Sequence, residues 1–186
     1  MAGLAKEKWV QYVLKLLVIY GVLYFGTLAI IGLSAPGGFY SPFVAKYLDY
    51  PSLLRKALLY SSDGLLKLWG YPSEIDAPFK VKFHGGHGIN VIYGCLGTGV
   101  TSFWVAFIAA NEAALKKKFF FITGGAIAIF IINAARMALL VIVSNGKRER
   151  LFENNHHTFF NIAAYCLILF MMYLFGKNSK KEKPAT

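Results

Sequence analysis

Negative charge is scarce in this sequence of 186 residues, which holds only 9 Asp and Glu beside 20 Lys and Arg. Charged residues make up only 16% of the chain, whereas 56% of its residues are hydrophobic and the mean hydropathy is +0.50. A soluble domain of this length has no need for so many apolar side chains. The composition therefore indicates a membrane protein, because the excess apolar surface has to face lipid.

The net charge of +11 does not point to nucleic-acid binding. The lysines stand beside apolar runs rather than among polar, base-contacting segments, so anionic lipid headgroups are the simpler partner. Cysteine is scarce as well, and Cys95 and Cys166 stand in unlike settings that make no disulfide framework. Cys166 lies deep in an apolar run, and we expect it to be a packing residue.

Long apolar runs are plentiful. A helix needs about 20 mostly apolar residues to cross the hydrocarbon core of a bilayer. The run after Lys6 and Lys8 is too long for the hydrophobic part of a signal peptide, so we expect a retained helix. The predicted transmembrane helices are residues 10–33, 96–115, 119–143 and 158–175.

The segment 34–94 between the first two predicted spans has two parts. Residues 51–69 place leucines at helical spacing with charges between them, which predicts an amphipathic helix at the membrane interface, with Gly64 as a candidate break. Farther on, PFKVKF and INVIYG flank the glycine-rich HGGHG, which predicts a hairpin. The predicted fold is an all-α polytopic membrane protein with about four transmembrane helices, an external amphipathic helix and a short β-hairpin.

The distribution of lysine and arginine predicts the orientation of these spans. With four spans, the N-terminus, the Lys116–Lys118 turn and the C-terminal tail share one side and hold nine Lys and Arg. The short loop 144–157 on the other side holds three, so both termini are predicted to be cytoplasmic. We expect residues 1–176 to form a single integral domain of the cytoplasmic (inner) membrane, and residues 177–186 to form a disordered basic cytoplasmic tail.

A cysteine stands at the start of the second predicted helix, in the string YGCLGTG. At the N-terminus of a helix, the dipole and the unpaired amides favour a thiolate, so Cys95 is a candidate nucleophile. Gly94 and Gly97 leave backbone room for a substrate to approach. Taken alone, Cys95 has the plainer explanation of a small packing residue.

Other polar residues stand near the outer ends of the next two helices. Arg136 costs at least ~2.5–3.5 kcal/mol at bilayer depth unless it faces protein, and Asn133 shares its helical face. His156 and His157 open the last helix, where histidine serves as a general acid or base. A snorkelling arginine and an interfacial histidine pair are the ordinary alternatives. Because topology places these groups and Cys95 at one depth, together they predict an extracytoplasmic catalytic site.

These residues resemble the pattern of exosortases and archaeosortases, which are multi-spanning membrane cysteine enzymes. The matching features are Cys95 before one helix, Asn133 and Arg136 as N-x-x-R near the end of the next, and His157 opening the one after. The similarity covers about residues 85–175. The cysteine motif here is Cys-Leu-Gly, where many members have Cys-Ser-Gly.

The resemblance implies a cysteine transpeptidase or protease that cleaves C-terminal sorting signals of exported proteins. It implies that Cys95 attacks the peptide bond just outside the substrate's transmembrane tail, and that His157 moves the proton. It implies that Arg136 stabilises the thiolate or the oxyanion, with Asn133 orienting Arg136 and His156 as the alternative histidine. The implied partners are those exported proteins and the lipid bilayer, with no cofactor, no metal and no nucleic acid.

Two other functions remain open from the residues alone. A membrane metal or redox protein would use His84, His87 and Cys95 with His156 or His157 as ligands for zinc or copper. A non-enzymatic membrane subunit would use the same polar groups to hold helices together. The metal content of the purified protein and the effect of Cys95→Ala separate these functions from a transpeptidase.

Overall fold

Helices dominate the computed structural model, which describes residues 2–35, 39–76, 78–146 and 156–181. The side chains of residues 2–6, 156–161, 163, 164, 167 and 178–181 lie outside the described set. In chain order the elements are α1 (Ala2–Ser34), α2 (Pro42–Tyr47), α3 (Tyr50–Leu68), β1 (Ser73–Asp76), β2 (Lys80–Phe83), β3 (Gly88–Asn90), a 3-10 turn (Tyr93–Leu96), α4 (Thr98–Ala110), α5 (Leu115–Ser144) and α6 (His156–Lys181).

Three segments within the described ranges are long and apolar enough to cross a membrane: Glu7–Ser34, Tyr93–Ala110 and Leu115–Ser144. The fourth predicted span lies in α6, whose described apolar stretch, Ile168–Lys177, is shorter. With the small sheet between α3 and α4, this architecture confirms the predicted all-α membrane fold.

Two helix boundaries differ from the predicted spans. Helix α4 ends at Ala110 instead of residue 115, because side chains bind the carbonyls of its last turn. Asn111 Nδ2 donates to Phe107 O at 2.7 Å, and Lys118 Nζ donates to Ala109 O at 2.9 Å. The lysines predicted to form a turn therefore lie in the first turn of α5.

The end of the last helix also differs from the prediction of a disordered tail that begins at residue 177. Helix α6 continues to Lys181. Residues 182–186 of the predicted tail lie outside the described residues.

The chain divides into two compact units, which are described separately. The first unit comprises residues 1–48, 98–127 and 168–186, and the second comprises 49–97 and 128–167. In the first unit α1 packs along α4, and the hydrogen bond from Asn111 Nδ2 to Tyr12 OH, 3.2 Å long, joins the end of α4 to the beginning of α1. The prediction of one integral domain stays a prediction.

The core of the second unit is built around α3. Asp49 caps this helix by accepting a hydrogen bond from Ser52 N at 3.2 Å, and the helix continues through Gly64 without a break. Its apolar stripe is buried against the sheet and the second half of α5, so this face contacts protein rather than lipid. The fully buried side chains of this core include Leu58, Leu66, Val81, Val91, Met137 and Val141.

The sheet has one strand more than the predicted hairpin. Strands β2 and β3 pair antiparallel with Val81 opposite Ile89, as the hairpin pattern predicts, and β1 pairs with the other edge of β2. A buried polar contact holds β1 to α3, because Ser73 Oγ donates to Asp63 Oδ1 at 2.6 Å. The sequence SEID shows no alternation of apolar and polar residues that would predict a strand, and its pairing partner is the next strand, β2.

Candidate functional site

Cys95 lies in the 3-10 turn that precedes α4. Its backbone N donates to Ile92 O at 2.9 Å, and its half-buried side chain packs against the core of the second unit. The α-helix itself begins at Thr98, beyond Gly97, whose φ of +68° is left-handed. The thiol therefore stands three residues before the first residue of α4, in a turn with its own backbone geometry.

Asn133 of α5 holds this turn from its C-terminal side. The buried Asn133 Nδ2 donates to Leu96 O at 3.3 Å, so the residue next to Cys95 is bonded to the N-x-x-R motif. A Cβ atom at Gly97 would overlap Asn133 Nδ2. Glycine is thus required at Gly97 both by its positive φ and by the close approach of this amide. In this arrangement Asn133 positions the cysteine turn, a role distinct from the predicted one of orienting Arg136.

Arg136 lies three residues after Asn133 on α5, so the two side chains project from the same side of the helix. The Arg136 side chain is half-buried, between the buried Ala134 and Met137 in the sequence. Within the second unit, the described contacts bring the cysteine turn, through Leu96 and Gly97, against Asn133 of the N-x-x-R motif. The part that Arg136 takes in the site stays a prediction.

The two candidate histidines open α6, which begins at His156. Their side chains lie outside the described residues, so the choice between His156 and His157 stays a prediction. Cys166, which was predicted to pack, is on the same helix with an exposed side chain, and both cysteines are free thiols.

An arginine that sequence analysis did not single out holds the cysteine turn from its N-terminal side. Arg55 of α3 stacks its guanidinium on the Phe79 ring at 3.6 Å and lies 4.9 Å from the Tyr93 ring centre. Its Nε also donates a hydrogen bond to Val91 O. Ser52 Oγ and Tyr93 OH share a further hydrogen bond of 2.9 Å. In the sequence, Arg55 is one of several charges on an amphipathic helix, and nothing there marks it as different.

Replacement of Arg55 by Lys is expected to loosen the cysteine turn. Lysine keeps the charge but loses the planar stacking and the geometry of the Nε hydrogen bond, at a cost of about 1 kcal/mol. In a Cys166→Ala background, maleimide alkylation of Cys95 should become several-fold faster. Lys56, the exposed neighbour of Arg55, supplies the control. Lys56→Gln should leave the alkylation rate of Cys95 unchanged. An unchanged rate in Arg55→Lys would show that Arg55 does not position the thiol.

Of the two predicted metal ligands in the HGGHG turn, His84 has its side chain in another contact, and His87 is held by its backbone. His84 Nδ1 lies 3.0 Å from Glu74 Oε2. The carboxylate of Glu74 is also shared with Lys82, whose pKa is raised by hydrogen bonds to Asp76 and Glu74. The backbone of His87 is clamped by Asn145, which accepts from His87 N at 2.7 Å and donates to His87 O at 2.8 Å. Among the side chains that the structure describes, no three His, Cys, Asp or Glu residues come together as a metal site.

The transmembrane exosortase family model matches residues 3–174 of the chain. This match includes the cysteine turn, the N-x-x-R motif and both candidate histidines. The chain belongs to the transmembrane exosortase family. No curated protein and no solved structure matches the chain. Membership of this family makes the chain an integral membrane protein, in agreement with its apolar helices.

Proposed function

We propose that this exosortase is a cysteine transpeptidase or protease that cleaves the C-terminal sorting signals of exported proteins at the outer face of the membrane. The observation that carries the proposal is the hydrogen bond from Asn133 to Leu96 O, which joins the turn that contains Cys95 to the helix that carries Arg136. Family membership independently supports exosortase-like chemistry.

In the proposed reaction, the Cys95 thiolate attacks the carbonyl carbon of the scissile peptide bond. His157 takes the thiol proton, and Arg136 stabilises the negative charge that develops on the carbonyl oxygen. When the carbon–nitrogen bond breaks, the histidine returns the proton to the leaving amine, and the acyl group remains on Cys95 as a thioester. An amine or a water molecule then attacks the thioester and releases the thiol.

The fixed turn suits a nucleophile that has to stay in place through two successive attacks. Contacts on both sides hold the backbone around Cys95, from Arg55 and Ser52 before it and from Asn133 after it. A reacting sulfur that is already positioned loses less freedom when the substrate binds, which lowers the barrier. The absence of a side chain at Gly94 leaves space for the substrate backbone beside the thiol, whereas Asn133 fills the space at Gly97.

We place both termini in the cytoplasm and the site outside. Contacts within the first unit support this orientation. The start of α1 meets the end of α4 through Tyr12 and Asn111, and Lys117 Nζ lies 5.8 Å from the Phe175 ring near the end of α6. The lysine-rich segments therefore share one end of the first unit, and the positive-inside rule assigns that end to the cytoplasm.

The test compares the C-termini of exported proteins in cells that contain this protein and in cells from which it has been removed. The proposal expects a set of exported proteins that keep an apolar C-terminal helix only when the protein is absent. The mass of each new C-terminus then distinguishes hydrolysis, which adds water, from transfer to an amine. Identical C-termini in the two cell types would refute the proposed activity and leave a metal-binding or structural role.

A further inference from the structure

A cavity of about 720 Å³ opens at the end of the first unit where α1 begins and α4 ends. Its volume lies within the range of small-molecule sites, roughly 300–1,000 Å³. All the residues that line the cavity belong to the first unit, whereas the cysteine turn belongs to the second.

One side of the cavity is cationic. Lys8, Tyr12 and Lys15 are spaced by four and three residues on α1, so they share one helical face and project into the same cavity. Tyr12 OH is held by Asn111 Nδ2 at 3.2 Å, which fixes this face of α1 against the end of α4. Both lysines are exposed, with their ammonium groups available to a ligand.

The opposite side of the cavity is apolar. Phe103 and Phe107 from α4 and Met172 from α6 supply it, and the largely exposed Trp9 stands at the rim. Indole rings favour the boundary between headgroups and hydrocarbon, so the cavity lies where a lipid would present both of its parts. An occupant with a negative head and an apolar chain matches both walls.

We propose that this cavity binds an anionic phospholipid, with its phosphate between Lys8 and Lys15 and an acyl chain along Phe103 and Phe107. Glu112, which also lines the cavity, reduces the charge of the lining to that of a single cation, which suits the single negative charge of a phosphodiester. The basic tail of a sorting signal is disfavoured as an occupant, because the two lysines repel it. This inference is independent of the chemistry proposed for Cys95.

The test measures binding of phosphatidylglycerol and of phosphatidylcholine to the purified protein in detergent by native mass spectrometry. The unchanged protein should bind phosphatidylglycerol more tightly. Each lysine near an anionic headgroup contributes a factor of about five, so Lys8→Gln with Lys15→Gln should weaken binding of phosphatidylglycerol about 30-fold. Lys46→Gln with Lys56→Gln, which removes the same charge from exposed sites outside the cavity, should change it less than twofold.

Two further measurements decide the nature of the ligand. Leu16→Trp narrows the apolar part of the cavity and should weaken binding of phosphatidylglycerol, while inorganic phosphate should not compete at millimolar concentration. If the double variant at Lys46 and Lys56 loses as much affinity for phosphatidylglycerol as the double variant at Lys8 and Lys15, the proposal is overturned. Binding would then reflect general charge attraction. If phosphate competes and Leu16→Trp has no effect, the ligand of the cavity is a free anion and not a lipid. If a peptide co-purifies with the protein and neither phosphatidylglycerol nor phosphate displaces it, the ligand is a polypeptide.

Discussion

Cys95→Ala is expected to abolish C-terminal processing of exported proteins while the protein stays in the membrane at its normal abundance. Loss of the sulfur removes the atom that forms the acyl-enzyme. The fold should survive, because the thiol is only half-buried and the turn is held by contacts of Arg55, Ser52 and Asn133. The measurement is the fraction of each exported protein that retains its apolar C-terminal helix, at matched protein levels.

The second cysteine provides a matched control. Cys166 is an exposed free thiol on α6, and Cys166→Ala removes the same atom from a place that the proposed reaction does not use. Processing in this variant should equal that of the unchanged protein. If Cys95→Ala still processes exported proteins, the thiol is not the nucleophile, even where removal of the whole chain stops processing.

Arg136→Gln is expected to slow processing about 100- to 1,000-fold, the usual effect of removing one group that stabilises an oxyanion. Glutamine keeps a polar group of comparable reach on α5 but cannot supply the positive charge. The rate of processing in Arg136→Lys should lie between the rates of Arg136→Gln and of the unchanged protein. Lysine retains the positive charge but loses the planar geometry of the guanidinium. The measurement is the rate at which a newly synthesised exported substrate loses its C-terminal helix in a pulse-chase experiment.

A second readout separates chemistry from folding in these Arg136 variants. The hydrogen bond between Asn133 and Leu96 should persist in them, so the alkylation of Cys95 should show a thiol that is still held in its turn. Equal rates of processing in Arg136→Gln and in the unchanged protein would exclude Arg136 from the reaction. A fall in protein abundance that matches the fall in processing would make Arg136 a structural residue.

The sequence by itself determined the membrane class and the approximate place of three apolar spans, and it nominated the residues of the candidate site. An apolar run of span length crosses a bilayer as a helix, because a helix satisfies its backbone hydrogen bonds internally. The hairpin around HGGHG and the helix after Pro51 were predictable for a similar reason, since glycine, proline and the periodicity of leucine act over a few residues. The N-x-x-R motif and Cys95 were found because polar groups are rare in such runs.

Only the tertiary structure decided how the cysteine turn is held. Arg55, Phe79 and Tyr93 meet across 38 residues of sequence, and their stacking depends on a path of the chain that no local pattern encodes. The end of α4 at Ala110 likewise depends on a side chain of the next helix, because Lys118 donates to Ala109 O. Which side chains form hydrogen bonds across such separations depends on how the chain packs. Spans and turns depend on residues that are neighbours in the sequence.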